Sequence, residues 1–192
     1  MRQGVYMGRS KRQSSVVTVL LIVTVLAFLL QLILQNNAPG FLNQLVLTAG
    51  VAWEKPWTLL TVMFLHGGFG HLLFNVYALL IFGPLIEQRL GRERFLLSYF
   101  GAGLVASLAF VLYNLYVIGN PSASAVGASG AIMGVLGLVI MLLPQMKVLF
   151  FFVIPMSMRT AGIVFALIDI FGLFNPASGV AHIAHLGGLA VG

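Results

Sequence analysis

The chain has 192 residues, of which 60% are apolar and 7% charged, with ten Lys or Arg against four Asp or Glu and no cysteine. An ordinary soluble domain is roughly 25% charged, and a globule of this size cannot hide so much apolar surface. A soluble globule, a disordered chain and a disulfide scaffold are therefore excluded. What remains is an all-α polytopic membrane protein, because long unbroken apolar runs take the place of the short alternating segments of a barrel.

Residues 1–15 hold Arg2, Arg9, Lys11 and Arg12. Lys and Arg collect on the cytoplasmic side of membrane helices, so this basic segment is expected in the cytoplasm. The first span is Val16–Leu34, 19 residues without a charge, and at ~1.5 Å per residue it crosses the hydrocarbon layer. Residues 38–66 are too polar to span and form a long outer loop. A second span covers about 69–85 and closes at Gly83-Pro84, before a charged loop from Glu87 to Arg94. A third covers 95–118, and Gly119-Asn120-Pro121 breaks it. The fourth runs from Ser129 to Leu143. Val148–Ile154 is too short to cross and reads as a buried or interfacial piece. The fifth span covers 159–174, up to Asn175-Pro176. The sixth covers 179–192, short of the ~20 residues a crossing helix needs, which reads as truncated or unusually short. Nine of the ten basic residues then fall on cytoplasmic stretches. This placement argues for topology rather than for nucleic acid, which would want the charges on one face with interleaved aromatics. The compact form suggests the inner membrane of a bacterial cell.

Polar groups inside a bilayer are costly and point to function. They are His66, His71, Asn75, Ser129, Asp169, His182 and His185. His71 and Asn75 are four apart and share a helical face. Ser129 lies between Gly127 and Gly130, which leave its hydroxyl accessible. Gly130 and Gly134 form one small-residue stripe, and Gly188 and Gly192 form another, three and seven residues after His185. Such stripes let two helices approach closely. The fourth and sixth spans would then bring Ser129 and His185 within hydrogen-bond reach, the minimum for an activated serine with a histidine base. His182 competes for the base role, but the glycine stripe lies beneath His185. His182 reads as an interfacial histidine bonded to a loop. Asp169 could orient a histidine, but it reads rather as solvated or capped near the outer interface and is left outside the mechanism. The histidine pairs at 66/71 and 182/185 have no H-E-x-x-H pattern and no second carboxylate beside them, so no metal site is expected.

These residues together resemble the rhomboid family of intramembrane serine proteases. The matching elements are Trp57 in the first outer loop, His66-x-x-x-x-His71-x-x-x-Asn75, Glu87-x-x-x-Gly91, Gly127-x-Ser129-Gly130, and Ala184-His185-x-x-Gly188-x-x-x-Gly192. They occur in the family's order over residues 16–192. Two positions depart from it: Thr58 follows Trp57 where the family often has Arg, and Met133 stands where it often has an aromatic.

The resemblance implies a single domain over 16–192, a six-helix transmembrane bundle with a Ser–His dyad opening to a wet cavity on the outer side. Ser129 would be the nucleophile and His185 the base. His71, Asn75 and the Ser129 backbone N–H would bind the oxyanion. His66, Trp57, Glu87, Gly91 and the glycines would be structural. The expected partners are the lipid bilayer and transmembrane protein substrates, with no cofactor, because a Ser–His pair carries its own chemistry. The rival reading is a non-catalytic relative that binds client transmembrane helices.

Overall fold

Inside hydrocarbon a backbone must satisfy its own hydrogen bonds, and the apolar runs of this chain do so as helices. The computed structural model describes residues 15–150, 153–175 and 178–192. The four basic residues before Ser15, and Pro176, lie outside the described residues.

Helix α1 spans Val16–Asn37, three residues beyond the charge-free run. The following stretch stays irregular, as its polarity requires. It holds single helical turns at Pro39–Leu42 and Thr58–Thr61 and the two-residue strand β1, Leu47–Thr48.

Helix α2 runs over Phe69–Leu90 and corrects the expected stop at Gly83-Pro84. Proline costs a helix one backbone bond, a loss that membrane helices tolerate when neighbours pack around it. Here Gly83 is buried against α1, where a methyl would lie 2.9 Å from Val17 Cγ2. The charged segment from Glu87 to Arg94 is accordingly the end of α2, the start of the next helix and Gly91 between them. Gly91 has φ 78°, a left-handed conformation that favours glycine.

Helix α3 spans Arg92–Tyr113 and continues as a π turn over Asn114–Ile118. Strand β2, Ser124–Ala125, pairs antiparallel with β1, Leu47 opposite Ala125 and Thr48 opposite Ser124. Helix α4 is Ser129–Leu142. Strands β3, Lys147–Phe150, and β4, Ile154–Ser157, form an antiparallel hairpin. The piece is not buried, since Val153 and Ile154 are exposed, and strand pairing satisfies a backbone segment too short to cross; Phe151 and Phe152 of the expected stretch lie outside the described residues. Helix α5 is Met158–Gly172, and helix α6 is His182–Val191, beginning three residues later than expected. Among the described residues α1, α2 and the continuous segment Arg92–Ile118 are long and apolar enough to cross a membrane; α4 and α6 are apolar but shorter.

The centre of the fold is α4, nine of whose residues from Gly130 to Val139 are buried. It packs against α3 on one side and α6 on the other, with α2 also beside it. The contact is made by small residues. A methyl on Gly130 would lie 2.4 Å from Ala106 Cβ, and one on Gly134 2.2 Å from Ala102 Cβ, both on α3. A methyl on Gly188 would lie 2.0 Å from the Gly130 carbonyl oxygen, and one on Gly192 1.9 Å from that of Gly134. The two glycine stripes therefore meet as their spacing predicts, and α3 supplies alanines to the same seam.

Two further contacts fix the ends. Glu87 accepts hydrogen bonds from the Ser15 hydroxyl and from the N–H groups of Val16, at 2.9 Å, and Val17, at 3.2 Å. An acidic side chain there satisfies otherwise open donors and meets the positive end of the helix. At the other end the Gly127 N–H donates to the Val62 carbonyl at 2.9 Å, tying the outer loop to the segment that leads into Ser129.

Candidate active site

Ser129 is the first residue of α4, so its own N–H has no acceptor within the helix and sits at the positive end of the dipole. The preceding chain is shaped by Gly127, whose φ of 132° disfavours any side chain. Space forbids one as well: a methyl there would lie 2.7 Å from His71 Cε1 and 2.8 Å from His71 Nε2. The same point is 3.6 Å from Ser129 Oγ. The His71 ring and the serine hydroxyl thus flank one bare Cα.

Across the glycine seam, His185 Nε2 lies 2.8 Å from Ser129 Oγ. This pair was expected from stripe spacing alone, and the seam is what makes it short. His185 Nδ1 lies 3.1 Å from Asp169 Oδ1. His182 Nδ1 lies 2.7 Å from that same oxygen, and His182 Nε2 2.7 Å from Ser178 Oγ. The loop partner expected for His182 is therefore present as Ser178, but its other nitrogen binds Asp169.

Asp169 is not solvated, the reading the sequence favoured; it takes the other place open to it, beside a histidine. It is 4% exposed and faces both histidines. Rotation of α5 against α6, which no linear spacing reveals, sets that contact. One signal was available: Asp169 is the chain's one aspartate and stands in an otherwise uncharged apolar run. Gly172 makes room for the network, since a methyl there would lie 2.3 Å from the His182 ring.

The donor atoms of Asp169, His182 and His185 lie within 4.8 Å of one another. Ligands around a tetrahedral ion with ~2.0 Å bonds stand about 3.3 Å apart. The 2.7 and 3.1 Å separations are shorter and are those of hydrogen bonds.

His71 Nδ1 accepts from the Gly67 N–H at 3.3 Å. That places the ring proton on Nε2, a donor on the Ser129 side. The Asn75 amide donates to the His71 carbonyl at 2.8 Å, one turn back on α2. Asn75 is buried and lines a small void with Ala128, next to Ser129 in sequence.

His66 is fully buried ahead of α2, and neither ring nitrogen has a partner among the described residues. Its backbone is held instead: Gln31 Oε1 accepts from its N–H at 2.9 Å, and Gln31 Nε2 donates to its carbonyl at 2.6 Å. Burial, aided by the nearby His71, pushes the His66 pKa down to about 4. The His66 and His71 rings meet edge on, with centroids 5.2 Å apart. Trp57 Nε1 donates to the Gln44 carbonyl at 2.7 Å and pins the outer loop to itself. Met133 is buried in the core.

A small cavity of about 30 Å³ lies beside the serine, lined by Met63, Gly103, Ala106, Ser107, Phe110 and Gly127 among others.

Comparisons with known proteins show the family. The family profile described as the rhomboid domain matches residues 53–192. The rhomboid protease GluP of Bacillus subtilis (strain 168) is 36% identical over 144 residues, which are 74% of this chain and 26% of that protein. RHOMBOID-like protein 12, mitochondrial, of Arabidopsis thaliana is 30% identical over 146 residues, 70% of this chain and 44% of that protein. The presenilin-associated rhomboid-like protein, mitochondrial, of Homo sapiens is 35% identical over 132 residues, 67% of this chain and 34% of that protein. The chain thus spans less than half the length of each of these relatives. The profile match covers most of the chain, and on that ground the chain belongs to the rhomboid family and, with its long apolar helices, is an integral membrane protein.

Proposed function

We propose that the chain is an intramembrane serine endopeptidase that cuts transmembrane segments of other membrane proteins. The observation that carries this reading is the 2.8 Å contact between Ser129 Oγ and His185 Nε2 in a cleft among apolar helices. In the proposed reaction His185 Nε2 takes the hydroxyl proton as Oγ attacks a peptide carbonyl. The carbonyl electron pair moves onto oxygen, which the Ser129 N–H and the His71 Nε2–H stabilise, with Asn75 beside them. His185 then gives the proton to the leaving amine as the C–N bond breaks. Water, activated by the same base, releases the acyl group.

The setting supports a membrane substrate. A carbonyl within a transmembrane helix is hydrogen-bonded to its own helix, so a substrate must unwind locally before attack. Helix-breaking residues near the cut should accelerate cleavage, and a rate indifferent to them would count against the reading. In this proposal the six helices form a transmembrane bundle, with the Ser15–Glu87 end and its arginines facing the cytoplasm and Ser129 toward the outer leaflet, in keeping with the distribution of basic residues.

The test is labelling of the detergent-solubilised protein with a fluorophosphonate, beside Ser129→Ala and His185→Ala. Labelling that requires both residues supports the proposal. A folded wild-type protein that stays unlabelled would leave the client-binding reading in its place.

A further inference from the structure

We infer that Asp169 positions the base of the Ser129–His185 dyad: from α5 it holds His185 in the tautomer and orientation in which Nε2 can take the serine proton, and His182 holds Asp169 in turn. This inference rests on the serine-hydrolase reading above and deepens it.

The argument is one of donors and acceptors. An ionised carboxylate only accepts. Asp169 Oδ1 lies 3.1 Å from His185 Nδ1 and 2.7 Å from His182 Nδ1. With Asp169 ionised, as the proposal has it, both ring nitrogens carry protons. In a neutral imidazole that leaves each Nε2 bare. For His185 the bare nitrogen faces Ser129 Oγ at 2.8 Å, where a base has to be. For His182 it faces Ser178 Oγ at 2.7 Å, which is free to donate to it. Every proton in the five-residue chain Ser178–His182–Asp169–His185–Ser129 thus has one consistent place.

The charge is consistent as well. A carboxylate that is 4% exposed is costly without partners. Two N–H donors on one oxygen offset part of that cost. When His185 becomes positive during attack, the carboxylate already beside it stabilises the new charge. The proton passes from Ser129 Oγ to His185 Nε2 and later to the leaving amine, while Asp169 neither gains nor loses one. His182 does not touch the reacting atoms; its second hydrogen bond fixes the oxygen that His185 uses. The groups facing His185 are Asp169 from α5, Ser129 from α4 and His182 on its own helix, with His71 of α2 beyond the serine. Asp169 and His182 are positioning residues in this scheme.

The test uses the full chain in detergent with a fluorophosphonate, comparing wild type, Ser129→Ala and Asp169→Asn across pH. Asn keeps the shape and loses the charge. The labelling rate of Asp169→Asn should fall by on the order of 10²-fold at an unchanged melting temperature. The pH of half-maximal rate on the acid side should move down, because the protonated ring has lost its counter-charge. A merely structural aspartate would leave that half-point where it is. A folded Asp169→Asn that labels at the wild-type rate, or with the wild-type half-point, overturns the inference. A second measurement needs no substitution at Asp169: ¹⁵N spectra of histidine-labelled wild type, with His185 assigned by the signal missing from His185→Ala. The Nδ1–H form at neutral pH is expected, and an Nε2–H form overturns the inference. The two readings fail separately. Wild type that does not label would sink the hydrolase assignment itself, whereas labelling that ignores Asp169 would sink only the role given to Asp169.

Discussion

Gly188 of α6 lies so close to Gly130 of α4 that a single methyl on its Cα would stand 2.0 Å from the Gly130 carbonyl oxygen. Ser129 is one residue before Gly130 and His185 three residues before Gly188, so this contact sets the distance between hydroxyl and imidazole. Gly188→Ala should push the helices apart, destabilise the fold by about 1–3 kcal/mol or more and lower fluorophosphonate labelling at least about 10-fold through lost alignment. The control is Gly101→Ala on α3, where a methyl meets nothing within 4 Å. That variant should melt no lower than wild type and label normally. Equal behaviour of the two variants would refute the account of the seam.

His71 and Asn75 are expected to contribute unequally. The His71 ring lies against Gly127 beside the serine, with Nε2 as its free donor. Asn75 spends one N–H on the His71 carbonyl. His71→Ala should lower kcat by about 10²–10³-fold with little change in KM, the loss expected for one oxyanion donor. Asn75→Ala should cost less. Steady-state cleavage of a transmembrane substrate would decide this, and a larger effect at Asn75 would reverse the assignment.

Glu87 is expected to matter for stability and not for chemistry. It accepts from Ser15, Val16 and Val17 at the start of α1, with Arg92 Nε 3.9 Å away. Glu87→Ala should lower stability by about 1–3 kcal/mol, since charged hydrogen bonds to otherwise open helix donors are lost. Labelling of the folded fraction should match wild type. The melting temperature in detergent, read beside the labelling rate, separates the two effects.

Acid should weaken the fold through His66. Burial first, and His71 second, hold its pKa at about 4 against an ordinary 6.5. Above pH 6.5 the ring is neutral whether the chain is folded or not, and nothing is lost. As pH falls from 6.5 toward about 4, the unfolded chain takes up a proton that the folded chain refuses, so stability drops through that window. His66→Phe, which keeps a ring beside Phe28 and His71, should flatten this part of the melting-temperature profile. A profile as steep as wild type would mean that another group is responsible.

Much of this protein was legible in its sequence. Continuous charge-free runs determined that the chain folds as membrane helices, because hydrocarbon leaves the backbone no other partner. Four-residue glycine spacing determined that α4 and α6 could touch with Ser129 and His185 at the same level, because residues four apart share a helical face. Tertiary structure alone decided the rest. Pro84 lies within α2 because α1 packs against the Gly83 turn. Lys147–Phe150 and Ile154–Ser157 pair because two short strands can satisfy each other where neither can cross. Asp169 joins His182 and His185 because of how α5 is rotated about its axis, and no spacing within one helix reports its rotation relative to another. Side-chain periodicity states which residues share a face; only packing states what that face meets.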